Sequence, residues 1–269
     1  MPKLTVLIPC KDERRHLRAC IESARAVADE ILVADSGSTD GSLEIARELG
    51  CRVIERDYIN SADFKNWAIP QASHPWVLVL DADERVTPKL AAEVRHLLAG
   101  QPAHDGYELK RDLYFLGHRI NHCGVSHNWL VRLFRRDECR YQRRRVHADV
   151  EVPSGNVGKL RGRLLHYTAH DIDHFLAKQS RYSTWAALDA YDAGKQASWG
   201  KILVHAPLRF VQLFLFRRGF LDGRAGLVVC GIVAYYTFLK DAKLWALRHS
   251  KSDDQPIAAA TTPARRQAA

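Results

Sequence analysis

The sequence predicts an α/β fold, a sandwich on a parallel sheet, followed by a mainly helical C-terminal extension. Three observations carry this prediction. The first hundred residues alternate between short apolar runs and segments with helical spacing. The apolar runs are continuous rather than alternating, which is the pattern of strands covered on both faces. Beyond residue 169 helical segments dominate, first at 170–195 and then in an apolar stretch at 202–247 studded with basic residues.

The elements follow in order. "LTVLIP" (4–9) is a β-rich run. Residues 12–28 place Leu17, Cys20, Ile21 and Ala24 on one helical stripe. "EILVAD" (30–35) is a second strand. Residues 40–50 read as a helix, with Asp40 as N-cap and Gly50 as the stop. "CRVIER" (51–56) is a third strand, residues 61–72 are helical until Pro70, and "WVLVLDAD" (76–83) is a fourth strand. Thr87 as N-cap, with Pro88 at the first helical position, opens a helix that runs to Gly100. Shorter β segments occupy 106–168.

The 269 residues suffice for a sizeable core, and the composition is ordinary for a globular protein. A formal charge of +9 points to an anionic partner. The six cysteines include no CxxC pair, which argues against a zinc or redox motif. The opening "MPKLTVLIPCKDE" becomes charged too soon for a secretory signal, so a reducing, cytoplasmic setting is expected.

Acidic residues gather at the predicted strand ends. "WVLVLDADERVTP" (76–88) sets Asp81, Asp83 and Glu84 directly after an apolar run. In extended chain Asp81 and Asp83 project to one side. At the carboxyl edge of a sheet they could hold a divalent cation, whose shell substrate phosphates and water would complete. Asp35 ends another strand, before the polar turn "SGSTDGS", where it could accept the N–H of a base. Glu13 belongs to a third such loop. The plain alternative for each is a solvated turn or a helix cap. Neither GxGxxG nor a GxxxxGK[ST] loop is present.

"TVLIPCKDE", "ILVADSGSTDGS", "KNWAIPQA" and "WVLVLDADERVTP", in this order and spacing, resemble a family 2 inverting glycosyltransferase with the GT-A fold. Downstream, "RLFRR", "LLHYT", "RYSTWAALDAY" and "FLDGRAGL" with "AYYTFLKDAKLW" resemble the lipopolysaccharide-core β-glucosyltransferase branch. The resemblance implies a UDP-sugar donor, Mg2+ or Mn2+, and an inner-core heptose or similar lipid-linked saccharide as acceptor. It implies a nucleotide-sugar site made of Pro9, Glu13, Asp35, Lys65, Asn66, Asp81, Ala82 and Asp83. Asp35 would contact the uracil, and Asp81 and Asp83 would flank the ribose and the metal-bound diphosphate. His166 in "LLHYT" would approach the metal or diphosphate; a core histidine is the alternative.

This chain departs from the family in two places. An inverting transfer needs a general base for the acceptor hydroxyl. Relatives often carry a carboxylate after the valine–histidine pair, where this chain has Ala148. "VHADVEV" puts Val146, Ala148, Val150 and Val152 on one face and His147, Asp149 and Glu151 on the other. Asp149 is the first candidate base, followed by Glu151 and His147, against the alternative of a solvated strand face. At "HCGVSHNWLVRLF" an aromatic–proline–aspartate group is replaced by Val125, His127 and Asn128.

The predicted organisation is a catalytic domain at 1–168, divided into a nucleotide-sugar half (1–100) and an acceptor half (101–168). A helical region at 169–249 and a disordered tail at 250–269 follow. The longest uncharged run, Ala225 to Leu239, would span roughly 22 Å as helix, short of a hydrocarbon core of about 30 Å. Interleaved aromatics and flanking Arg217, Arg218, Arg224, Lys240, Lys243 and Arg248 suit helices lying in an anionic interface, at the cytoplasmic face of a bacterial membrane. A lid packed on the catalytic domain is the alternative. The rival functions are a metal-dependent nucleotidyltransferase and a non-catalytic basic membrane- or RNA-binding module. Nucleic acid is not an expected partner, because three strand-end acids suit it poorly.

Overall fold

The computed structural model describes residues 2–124, 129–142, 144 and 148–249. The first four strands are β1 (Leu4–Cys10), β2 (Glu30–Asp35), β3 (Arg52–Glu55) and β4 (Trp76–Val79). They lie parallel in the order β3-β2-β1-β4. Helices α1 (Arg14–Ala24), α2 (Ser42–Glu48) and α3 (Ser61–Ala68) connect them. The predicted stripe of α1, Leu17, Cys20, Ile21 and Ala24, is buried as expected.

Three local readings need correction. The first helix ends at Ala24, short of residue 28. Asp40 does not cap α2; Gly41, at φ 93°, holds that position. Asp40 instead accepts from Ser42 N and Oγ, tying down the turn before the helix. The strand expected over 76–83 stops at Val79. Residues 82–83 turn, Glu84 N donates to Asp81 O at 2.8 Å, and a separate strand β5 (Glu84–Val86) begins.

Helix α4 (Pro88–Ala99) opens as predicted, with Thr87 Oγ1 accepting from Leu90 N at 3.2 Å and Pro88 in the first turn. The β segments that follow do not form a second layer. β6 (Gly106–Phe115), β7 (His118–Ile120), β8 (Leu130–Arg135) and β11 (Val157–Ala169) extend the same nine-stranded sheet. β8 pairs antiparallel with β4, β6 antiparallel with β8, and β11 parallel with β6. The sheet is therefore mixed rather than parallel. β5 pairs antiparallel with β11, and that register sets His166 opposite Glu84. Gly162 permits the approach of β11 to α4: a Cβ there would stand 2.4 Å from Leu90 Cα. A short ribbon, β9 (Arg140–Tyr141) with β10 (Val150–Glu151), completes the β structure among the described residues.

The C-terminal part holds α5 (Ile172–Asp192), α6 (Trp199–Val211) and α7 (Gly223–His249). The apolar stretch is not one helix. A π turn at Gln212–Phe216 and a 3-10 turn at Gly219–Asp222 reverse the chain, and α6 packs back on α7. Asp222 anchors the turn to the nine-stranded sheet's edge by accepting from the backbone N–H groups of Asn121 and His122, just after β7. Phe115, Ile120, Cys123, Leu213, Val229 and Cys230 form a shared apolar cluster there. The tail at 250–269 lies outside the described residues.

Candidate active site

The loops after β1 and β2 are laced into one polar rim. Asp12 N donates to Ser38 Oγ, Glu13 N to Ser42 Oγ, Arg14 N to Asp40 Oδ2, and Thr39 N to Asp12 Oδ1. Asp35, at the end of β2, is fully buried. Its Oδ2 accepts from Gly37 N and Ser38 N, each at 2.7 Å, and its Oδ1 from Ser38 Oγ. Asp35 thus shapes the turn that follows it. Pro9 lies at the end of β1 opposite Ala34, half-buried.

The charge after β4 is resolved by cations from four other elements. Asp81 Oδ1 meets Lys65 Nζ of α3 at 3.0 Å, and Oδ2 meets Arg132 Nη2 of β8 at 2.7 Å. Burial alone would raise the Asp81 carboxyl; Arg132 and then Lys65 outweigh it and hold it well below the usual carboxylate range. Glu84 is fully buried. Its Oε2 accepts from Asp81 N, and its Oε1 meets Arg132 at 3.1 Å and Arg111 at 3.3 Å. Glu84 is thus the inner strut of the acidic turn.

Asp83 faces a different set. Its Oδ2 lies 3.4 Å from His166 Nε2 of β11 and 3.5 Å from Lys178 Nζ of α5. Burial opposes its ionisation, but His166 and Lys178 prevail and depress its pKa. Glu13 is pushed up to about 7, first by burial and then by the charge of Asp83. The two aspartates therefore do not project together from an extended strand. The turn sends Asp81 towards Lys65 and Arg132, and Asp83 towards His166 and Lys178.

The donor set at Asp83 fits a hard divalent cation bound together with substrate. Both neighbours stand at the long edge of hydrogen-bond range, so the carboxylate is not saturated by them. His166 Nδ1 is buried with no hydrogen-bond partner among the described residues. Among those residues no group of three or more His, Cys, Asp or Glu could hold a metal unaided. Asp83 and His166 offer two ligands, and oxygens of a bound diphosphate would have to supply others.

The remaining expected residues divide. Lys65 is in the site, with its ammonium 5.1 Å from the Tyr141 ring centroid. Asn66 instead clamps the ribbon: its Nδ2 donates to Tyr141 O and its Oδ1 accepts from Tyr141 N. Ala82 is buried, and its carbonyl accepts from Arg85. Asp149 and Glu151 are exposed, while Ala148, Val150 and Val152 pack on the core, as the alternation requires. No described ion pair or side-chain hydrogen bond joins Asp149 or Glu151 to the acidic turn. His147, Val125, His127 and Asn128 lie outside the described residues.

Sequence reasoning gave no role to Arg132, Arg111 and Lys178. Arg132 had a signal: a single arginine inside the apolar run "LVRLF" needs a buried carboxylate partner. Lys178 had none, because only tertiary packing brings α5 to Asp83.

Residues 5–149 match the family described as Glycosyl transferase family 2. The lipopolysaccharide core biosynthesis glycosyltransferase LpsC of Rhizobium meliloti (strain 1021) is 34% identical, over 93% of this chain and 95% of that protein. An uncharacterized glycosyltransferase of Rickettsia typhi is 28% identical, over 91% of this chain and 87% of its own. Among solved structures, S. aureus TarS 1-349 in complex with UDP-GlcNAc covers 91% of each chain at 11% identity and a TM-score of 0.49. The α/β sheet and acidic turn after β4, the family match over residues 5–149 and the 34% identity to LpsC identify the chain as a GT-A-fold glycosyltransferase belonging to glycosyl transferase family 2.

Proposed function

We propose that this chain moves a hexose, glucose, from UDP-glucose to an inner-core heptose of lipopolysaccharide or a similar lipid-linked saccharide, with inversion at the anomeric carbon. The observation that carries the reading is Asp83, a buried carboxylate that meets His166 and Lys178 only at long range and is open to further ligation. The likeness to LpsC, a lipopolysaccharide core biosynthesis glycosyltransferase, supports the acceptor class.

Asp83 and His166 would hold Mg2+ or Mn2+. Bound there, the cation would neutralise negative charge on the departing diphosphate. Asp81, locked between Lys65 and Arg132, would face the ribose, and Glu84 would fix the turn that aims both aspartates. The loops held by Asp35 and Glu13 would enclose the base. Asp149 is the first choice for the base that accepts the acceptor hydroxyl proton, with Glu151 and His147 next.

The division into a catalytic domain at 1–168 and a helical region at 169–249 belongs to the same proposal. The enzyme would sit on the cytoplasmic face of the inner membrane through its helical hairpin. None of the residues of α6 is buried, and Trp199, Leu203 and Phe216 are 67%, 68% and 79% exposed. Gly219–His249 is long and apolar enough to cross a membrane, with mean hydropathy 1.3. However, α7 buries Val229, Cys230 and Ile232, and its Asp241 pairs with His205 of α6 at 2.7 Å. That packing favours a hairpin lying in the interface over a single span.

Incubation with UDP-glucose and a heptose-terminated core glycolipid tests the activity. Release of UDP with formation of a β-linked glucoside is expected. Release of pyrophosphate, or an α-linked product, would contradict it.

A further inference from the structure

We propose that Lys178 is the resident counter-cation of the donor site. Its ammonium neutralises Asp83 before the donor binds, competes there with a divalent cation, and passes to the donor's diphosphate when cation and donor are bound together. This rests on the reading of Asp83 as the cation-binding acid.

The contrast between the two aspartates leads to it. Asp81 is gripped at 2.7 and 3.0 Å by two cations whose side chains are almost wholly buried. Those contacts have the length of charge-assisted hydrogen bonds and fix Asp81 in place. Asp83 is as deeply placed, yet Lys178 meets it only at 3.5 Å, and the Lys178 side chain is 24% exposed. A lysine ammonium is a compact point charge on four flexible carbons, with three rotatable donors. It can leave one anion for another nearby without unfolding anything.

Asp83 is the one ion-pair partner of Lys178 within 4.0 Å among the described residues. Lys178 also feels Glu13, which itself borders Asp83. Asp81 and Glu84 are held by Lys65, Arg111 and Arg132, and Lys178 faces Asp83. A divalent cation added alone at Asp83 sets a like charge beside the Lys178 ammonium, so it must displace or repel it. A diphosphate entering with the cation restores balance and gives the ammonium a new partner. The diphosphate also gains one negative charge when the sugar leaves, and a donor already beside it stabilises that charge without reorganisation. Because Lys178 lies on α5, which also packs on α7, this side chain links the helical region to donor binding.

The test uses the full chain and titration calorimetry with Mn2+ alone, then with UDP at saturating Mn2+. Lys178→Gln should bind Mn2+ alone about fivefold more tightly than wild type, the scale of one partly screened ion pair. It should bind UDP with Mn2+ about tenfold more weakly. Lys178→Arg, which keeps the charge, should bind UDP within about twofold of wild type. Unchanged or weaker Mn2+ binding by Lys178→Gln would overturn the competition, and unchanged UDP binding would overturn the transfer to the diphosphate. Asp83→Asn separates the two levels. If it binds Mn2+ like wild type, the reading of Asp83 fails and takes this proposal with it. If Asp83→Asn loses Mn2+ while Lys178→Gln matches wild type, only the role of Lys178 fails.

Discussion

The acidic turn after β4 and the α6–α7 hairpin break the same rule in opposite directions. At the turn, charge is placed inside the protein; at the hairpin, apolar surface is placed outside. The turn resolves its conflict internally. Glu84 and Asp81 are matched by Arg132, Arg111 and Lys65, so the buried charges are paired and hydrogen-bonded. The hairpin leaves its conflict open. Trp199, Leu203, Leu208, Phe216 and Leu221 face outward, with Arg209, Arg217, Arg218 and Arg224 among them. A feature neutralised from within serves precise positioning, and one left uncovered implies a partner.

This contrast can be broken most forcefully at Glu84. Glu84→Ala leaves Arg132 and Arg111 short of a carboxylate and Asp81 N without its acceptor. It should cost about 3 kcal/mol or more in urea denaturation. A loss below about 1 kcal/mol would show that the buried network does not hold the turn.

Glu13 gives the next effect, and its sign is opposite to that of a salt-bridged acid. Its carboxyl is raised to about 7 in the fold, so ionisation is disfavoured there relative to the unfolded chain. Its contribution is intact below the ordinary glutamate range and erodes as pH rises towards 7. Glu13→Gln should therefore exceed wild type in stability by about 2 kcal/mol at pH 8, with the gap closing by pH 5. Equal stabilities across that range would contradict the burial of this group.

The hairpin should give the smallest effect on stability and the largest on location. Leu203→Glu with Phe216→Glu should change unfolding free energy by only about 0.5 kcal/mol, since both side chains are exposed. The same pair should abolish flotation with vesicles containing anionic lipid. Undiminished flotation would contradict the membrane role proposed for the hairpin.

Much of this was legible in the sequence. The strand–helix alternation of the first hundred residues and the Thr87-Pro88 start of α4 are local signals, and both hold. The extended reading of Asp81 to Asp83 failed because the turn is made by tertiary pairing. β5 exists only because β11, some eighty residues on, supplies its partner strand. The same long-range pairing carried the later β segments into the first sheet and brought His166 beside Asp83. Asn66 carried a family expectation, but its amide is occupied by the ribbon backbone, a contact 75 residues away that no local pattern encodes. The π and 3-10 turns that fold the apolar stretch on itself have no sharper signature than Gly219 and Gly226, where the backbones come too close for a Cβ.

The central claim is that Asp83 binds the donor through a divalent cation. The direct measurement is thermal stabilisation of the protein by UDP, with and without Mn2+, for wild type and Asp83→Asn. Wild type should be stabilised by UDP strongly only when Mn2+ is present, as expected for a ligand that binds the folded state alone. Asp83→Asn should lose that dependence while unfolding cooperatively. Equal stabilisation of both proteins by UDP and Mn2+ would contradict the assignment.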